Sequence, residues 1–449
     1  MSESSTKGAY PFPPDWRKVV VGDAFVLQLG KMLSRASTTG RNPKPYLGNK
    51  NVQWDHVDLS DLEAMDFTED EQVKFALAPG DLLVCEGGVV GRTSIWRGEL
   101  PGCLYQKAIH RLRPKNGAVH SQYMLYFMRI AADNGWFANF TSQSSIAHLT
   151  REKFAAVPVH VPSLPEQRKI ARILTTLDQL IEKTEAFIAK YQAIKQGMVH
   201  DLFTRGIDEH GRLRPPQSEA PELYKQSELG WIPKEWEVGQ LGDEIGPIVS
   251  GWSPVCDSIE SAENEWAILK TTAVVWTGYV ETENKRLPTE LHPLDSIEVK
   301  RGDILITRKG PVDRVGVVVH VPETRAKLMI PDTVFRVRLE RISTVLPAFV
   351  PLALGCEHVQ RDWFGRKIGL ADAQVNINHT ILRATRFPKP PATEQHRFVE
   401  LMNAVQRRTT GEIRQLLKLR ALKSGLMHDL LTGRVRVTVH DKTEGTSDA

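Results

Sequence analysis

The sequence predicts a mixed α+β protein in the order module, helix, module, helix. Two globular domains alternate with two long helices that pair as an antiparallel coiled coil, giving a pseudo-twofold internal repeat. Three observations predict it. The segment EQRKIARILTTLDQLIEKTEAFIAKYQAIKQGMVHDLFT at residues 166–204 recurs without a gap 228 residues later, as EQHRFVELMNAVQRRTTGEIRQLLKLRALKSGLMHDLLT at 394–432, with ten identical positions in 39. Both copies carry an apolar stripe at helical spacing. The regions ahead of each copy share weaker anchors in the same order, and duplication at this range marks a repeat architecture.

The stripe of the first helix runs through Ile170, Leu174, Leu177, Ile181, Ile188, Tyr191, Met198 and Leu202, and that of the second through Phe398, Met402, Val405, Leu416, Leu419, Leu426 and Leu430. Spacings alternating between four and three form a heptad seam, broken at Thr184 and Lys195 in one copy and at Thr409, Glu412 and Lys423 in the other. A second row, Ile173, Leu180, Phe187 and Ile194, widens the first stripe and demands a covering surface. Ser163 three residues before Glu166, with Pro165 in the first turn, is an N-terminal start signal, and Thr393 directly precedes the second copy. Gly206 and Gly433 stand where a left-handed C-terminal cap belongs. About 40 residues at about 1.5 Å each make a rod of roughly 60 Å.

The modules mix short strand-like runs with turns: VVVGDAFVLQ, GDLLVCEGG, TSIWRG and AIHRLRP, then a helical patch at QYMLYFMRIAADNGWF, without βαβ regularity. Trp16, Gly22 and Asp23 match Trp236, Gly242 and Asp243. Gly80, Asp81, Leu82 and Leu83 match Gly302, Asp303, Ile304 and Leu305, the IHRLR run ending at Arg113 matches VFRVR ending at Arg338, and Leu149 matches Ile377. The offset drifts between anchors, as in a unit duplicated whole and diverged in its loops. The polar, proline-rich stretch GIDEHGRLRPPQSEAPELYKQSELG reads as a linker. The expected boundaries are 1–161 for the first module, 162–206 for the first helix, 207–230 for the linker, 231–390 for the second module, 391–434 for the second helix and 435–449 for a tail.

A chain of 449 residues with 41% hydrophobic residues and mean hydropathy of -0.30 is an ordinary multi-domain globular protein. No apolar run is long enough to span a bilayer and no signal core opens the chain, which predicts a cytoplasmic protein without membrane contact. Cys85, Cys103, Cys256 and Cys356 are far apart, as expected of reduced thiols and not of a zinc site. A net charge of +4 is too small to reveal a polyanion partner, so the charge must be read locally.

The chain order makes the helices antiparallel, and two heads related by a pseudo-twofold axis suit a duplex with its own dyads. Each module has a glycine-and-cation turn after its GD strand: GGVVGRTS, with Gly87, Gly88, Gly91 and Arg92, and TRKGPVDR, with Arg308, Lys309, Gly310 and Arg314. Glycine admits a phosphate close to the backbone and cations contact phosphates or guanine edges; a solvated hairpin is the plain alternative. Further DNA-contact candidates are Lys107, Arg111 and Arg113, the strand arginines Arg336 and Arg338, and the loops TSQSS (Gln143, Ser144, Ser145) and GRKIGLADAQ (Arg366, Lys367, Gln374). The repeated helix ends, Glu166, Gln167, His200 and Asp201 with Glu394, Gln395, His428 and Asp429, are candidates for capping or for contact with partner subunits. No GxGxxG, Walker loop, NPPY-like or HExxH string occurs, and Asp295, Glu298 and Lys300 read as an exposed turn, so no catalytic or metal-binding residue is assigned.

PxLPEQRKIA at 162–171, GIDEHGRLRP followed by SELGWIPKEWEV, GDILITRKG, and the ending HDLLTGRVRV closely resemble the specificity subunits of Type I restriction-modification systems. The likeness covers nearly the whole chain. The second copy departs from the family's pattern at Thr393, Arg408, Thr409 and Glu412. The resemblance implies a non-catalytic, sequence-specific DNA-binding subunit with two target recognition domains. Each reads one half of a split, asymmetric site on double-stranded DNA, and the paired helices act as the ruler. It also implies two methyltransferase subunits that methylate adenine with S-adenosylmethionine, and two restriction subunits that use ATP and Mg. Heads one turn of B-DNA apart imply two short blocks with roughly five to eight unread base pairs between them. The alternatives are a coiled-coil scaffold, which needs no divergent heads, and a self-contained DNA-modifying enzyme, which needs a cofactor motif.

Overall fold

Two helices, Leu164–Thr204 and Ala392–Leu431, are the longest elements of the computed structural model, which describes residues 12–115, 117–140, 148–371 and 374–439. Their ends follow the expected signals. Ser163 Oγ accepts from the Glu166 N–H at 3.4 Å, and Gly206 and Gly433 adopt φ of 65° and 75°, a conformation open to glycine. Among the described residues no helix is long and apolar enough to cross a membrane.

The chain divides into two compact units, Met1–Glu185 with Gln415–Ala449, and Ala186–Arg414. The division cuts through both helices and not at their ends. Each unit thus holds opposite halves of the two helices, which is the expected antiparallel pairing. In the first unit Ile170 and Leu174 share a core with Met427, Leu430 and Leu431. In the second, Leu202 and Phe203 share one with Phe398 and Met402. The threonines that interrupt the seam are buried because each hydroxyl turns back on its own helix, Thr184 to the Leu180 carbonyl (2.7 Å) and Thr409 to that of Val405 (2.9 Å).

The first module has a four-stranded antiparallel sheet in the order Phe25–Leu29, Ile109–Pro114, Leu82–Cys85, Thr93–Ile95. A three-stranded sheet follows the order Glu63–Asp66, Pro43–Leu47, Leu104–Tyr105, its last pair parallel, and Arg17–Val20 pairs with Pro158–Val161. Leu82–Cys85 is buried throughout because its two faces serve two cores: Leu82 and Val84 face the helices, Leu83 and Cys85 the three-stranded sheet. The helical patch forms Ser121–Asp133.

The second module repeats this plan strand for strand. Its four-stranded sheet runs Val249–Ser250, Val334–Val337, Ile304–Thr307, Val318–His320, and its three-stranded sheet runs Asn284–Arg286, Ala267–Leu269, Leu328–Met329, again with a parallel last pair. Glu237–Gln240 pairs with Arg386–Lys389. The match extends to Gly30 and Gly251, where an added Cβ would lie 2.3 Å from the Tyr105 carbonyl oxygen and 2.1 Å from that of Ile330. Two helices, Val350–Leu354 and Glu357–Arg366, stand where the first module has one, and Lys309–Gly310, Gln374–Asn376 and Ile368–Ala371 add a three-stranded sheet.

The linker differs from a plain loop. Tyr224–Ser227 and Gly230–Pro233 form a hairpin, anchored by the buried Tyr224, whose hydroxyl donates to the Pro215 carbonyl at 2.5 Å. Asp208 ties its first turn by accepting from the N–H groups of His210 and Arg212.

Candidate nucleic-acid interface

The GD strands position the candidate turns, and the strand arginines hold the GD strands. Asp81 is buried and accepts two bonds of 2.7 Å from Arg113, while Asp303 accepts from Arg338 at 2.5 and 3.3 Å. Arg111 is buried and donates to the carbonyls of Lys74 and Ala76. Arg336 does the same with Glu298 and Ser296. Arg111 and Arg336 point into the fold, which corrects the reading of these two as DNA contacts, whereas Arg113 and Arg338 pair with buried carboxylates yet keep half-exposed side chains and stay candidates. The aspartate of the GD motif finds its reason in the same pairing.

Beyond the first GD strand, Arg92 donates from Nη2 to the Asn49 carbonyl (2.7 Å), and Asn49 Nδ2 donates to the Gly87 carbonyl (2.9 Å). Arg92 Nε and Asn49 Oδ1 are buried without a hydrogen-bond partner among the described residues. Buried polar atoms left unpaired in a folded chain call for a ligand or water. Asn49 and Gln53, which lies 3.5 Å from Arg92 Nη1, were not singled out in the sequence; only proximity in three dimensions marks them. Lys107 is exposed, and Gln143, Ser144 and Ser145 lie outside the described residues.

The second module gathers its candidates more closely. Lys309 pairs in register with Asn376, and Gly310 with Val375, so the TRKG turn lies beside the strand Gln374–Asn376. Arg308 lies 4.8 Å from the centre of the Phe335 ring, and its buried Nε and Asn376 Oδ1 have no hydrogen-bond partner among the described residues. Lys367 donates to the Val312 carbonyl at 2.8 Å, and burial lowers its pKa from the usual lysine value. Lys309 is 3.8 Å from Asp332, Arg366 is 2.8 Å from Asp362, Arg314 is half-buried and Gln374 is exposed. The two turns are tied alike: the Leu149 N–H donates to the Glu86 carbonyl at 2.8 Å and the Ile377 N–H to that of Arg308 at 2.9 Å.

Residues 13–190 match the model of the Type I restriction modification DNA specificity domain. The specificity subunit of the type I restriction enzyme EcoEI from Escherichia coli is 33% identical over 266 residues, 58% of this chain and 40% of that subunit. The putative type I restriction enzyme MjaX specificity subunit from Methanocaldococcus jannaschii is 27% identical over 435 residues, 95% of each chain. The crystal structure of the S subunit of a Type I restriction-modification system from M. genitalium superimposes over 97% of this chain and 99% of its own, with a TM-score of 0.58 at 13% identity. The chain is thus similar to Type I specificity subunits along nearly its whole length and carries a match to their DNA specificity domain in its first module and helix.

The repeated helix ends have two kinds of role. Glu166 and Glu394 are buried, and each is clasped by an arginine that follows the other long helix: Arg436 donates two bonds to Glu166 at 2.8 and 2.9 Å, and Arg214 donates to Glu394 at 2.8 and 3.4 Å. Trp236 Nε1 and the Ile207 N–H complete the second clasp, and Asp15 joins the first through Arg436. Gln167 accepts from the His120 N–H and donates to the Pro162 carbonyl, as Gln395 does with Leu346 and Pro390. These four positions are corrected from partner contacts to internal clasps. Their identity in the repeat follows from that shared duty. His200 is exposed and lies 3.9 Å from Glu357, Asp201 is near Arg205, His428 is half-buried and Asp429 is near Arg434, so these four remain candidate partner contacts. Among the described residues no group of three or more His, Cys, Asp or Glu could hold a metal.

Proposed function

We propose that the chain confers DNA sequence specificity on a Type I restriction-modification complex, each module reading one half of a split, asymmetric target on double-stranded DNA. The observation that carries this reading is the repeat itself. Two modules with the same sheets end their central strands in the same backbone tie yet continue into different residues, Glu86 and Gly87 in one and Arg308 and Lys309 in the other. A shared frame with divergent turns is suited to reading two different half-sites. In this reading the target consists of two short blocks separated by roughly five to eight base pairs, read from one face of the duplex.

The chemistry belongs to partners in this reading. Two methyltransferase subunits supply S-adenosylmethionine and methylate adenine, two restriction subunits use ATP and Mg, and the assembly works in the cytoplasm. Uncovered apolar residues on the long helices support docking: Leu180, Leu417 and Leu422 in the first unit, and Phe187 and Ile194 in the second, are 39–61% exposed. The row expected to widen the seam is thus only partly covered within the chain, and exposed apolar surface of this kind is suited to a partner protein. Co-expression with the methyltransferase subunit and mapping of methylated adenines across the host genome tests the function. A bipartite motif of fixed gap that disappears with the chain is expected; methylation unchanged by its deletion refutes the reading.

A further inference from the structure

The two GD strands hand over to residues of opposite charge. Glu86 follows Leu82–Cys85 directly and Arg308 follows Ile304–Thr307, and their carbonyls accept the equivalent ties from Leu149 and Ile377. They occupy one place in the repeat. Arg308 is oriented by the Phe335 ring at 4.8 Å and by Ser250 Oγ, 3.5 Å from its Nη1. Glu86 is half-buried and has no side-chain hydrogen bond or ion pair among the described residues. It stands beside the turn that holds Gly87 and Arg92 and the unpaired Asn49 Oδ1.

A partly desolvated carboxylate without a partner costs free energy. On a surface that approaches phosphates it costs more, because it repels the DNA backbone that the neighbouring cations attract. The cost is recovered only where the carboxylate meets a hydrogen-bond donor, and in the major groove the donors are the exocyclic amino groups of cytosine and adenine. An acidic residue at such a place also penalises every base edge that presents an acceptor there, which turns its repulsion into discrimination. Arginine has the opposite preference, since its planar fork matches the two acceptors of guanine.

We propose that Glu86 and Arg308 are specificity-determining residues at one shared reading position. Glu86 accepts a hydrogen bond from an exocyclic amino group, cytosine N4 or adenine N6, and Arg308 donates two to guanine O6 and N7. The proposal rests on the two-module reading above and explains how one frame yields an asymmetric target.

The test uses the full chain co-expressed with its methyltransferase subunit, with Glu86→Gln and Arg308→Gln made separately and methylated adenines mapped genome-wide. Glu86→Gln is expected to relax or change one base position in one half of the motif, and Arg308→Gln one position in the other half, with the gap unchanged. A wild-type motif at wild-type methylation in both variants overturns the assignment and leaves the two-module reading standing. Absence of a bipartite motif in the unsubstituted protein is instead the failure of that reading. Where a variant abolishes methylation, the purified complex is titrated onto duplexes with each base pair of that half replaced in turn. The unsubstituted complex is expected to discriminate by about tenfold to hundredfold at the read position and the variant not to discriminate there. A variant that melts as the wild type does, yet discriminates at every position as before or binds no duplex, overturns the proposal. If a glutamine variant does not fold, Glu86→Asp and Arg308→Lys enter the same titration with the same two outcomes.

Discussion

Replacing Arg214 with methionine would leave the Glu394 carboxylate, buried and only 6% exposed, without its charge partner. Breaking a buried pair from one side costs about 3–5 kcal/mol, more than the pair contributes when intact. Arg214→Met is therefore expected to lose stability of that order in urea denaturation, and pairing it with Glu394→Gln should recover part of the loss. His110 offers a pH test. Burial lowers its pKa to about 4, and its Nε2 lies 2.8 Å from the Leu149 carbonyl oxygen. The unfolded chain takes the proton first, near pH 6.5, so stability is full above that value and falls as pH drops toward 4, by about 3 kcal/mol at the lower end. Strand register puts Phe335 at the equivalent place, opposite Ile306 as His110 is opposite Val84. His110→Phe is expected to flatten the pH dependence of the melting temperature between 4 and 6.5. At this scale the sequence showed which residues recur but not which way they point. The repeated Arg-x-Arg run was visible, whereas its Asp81 partner stands just ahead of the neighbouring strand Leu82–Cys85 and emerged only from the strand pairing.

The long helices were legible because a seam, a start signal and a glycine stop all agreed along each of them. What the seam could not explain was the lysine that interrupts it in both copies. Lys423 binds Asp178 at 2.5 Å and approaches Asp55 at 3.6 Å, while Lys195 donates to the Gln406 side chain at 3.0 Å and the Trp276 carbonyl at 3.2 Å. Each lysine ties both its neighbouring helix and its own module, so a polar residue in an apolar seam is the connection between the two. The ties are unequal in charge, since Gln406 stands where the first helix has Asp178. Burial lowers the Lys195 pKa, as expected for an ammonium without a carboxylate nearby. Gln406→Glu is expected to raise stability by up to about 1 kcal/mol at low salt, with the gain shrinking at high salt as it would for a partly exposed pair. A urea titration at two ionic strengths measures it. Within the linker, polar composition gave no sign of a hairpin, which depends on Tyr224 reaching back to Pro215.

For the whole molecule, exchanging residues 12–161 for the matching module of a relative is expected to change one half of the methylated motif and leave the other half and the gap alone, as read by genome-wide adenine mapping. The repeat of the modules was legible as a few anchors only. Loops of unequal length separate them, and the shared sheet order rests on pairings between distant segments.

The reciprocal clasps have a consequence for ancestry. Glu166 is held by an arginine behind the second helix and Glu394 by one behind the first. A polypeptide ending just beyond Arg214 would carry an open acceptor at Glu166 and an unused donor at Arg214, and a twin molecule would supply what each lacks. Such a half-length product is expected to form a stable homodimer in light scattering, and its two identical heads would favour a palindrome. Dimerisation of that product would make the present chain the covalent counterpart of such a dimer, with halves free to diverge.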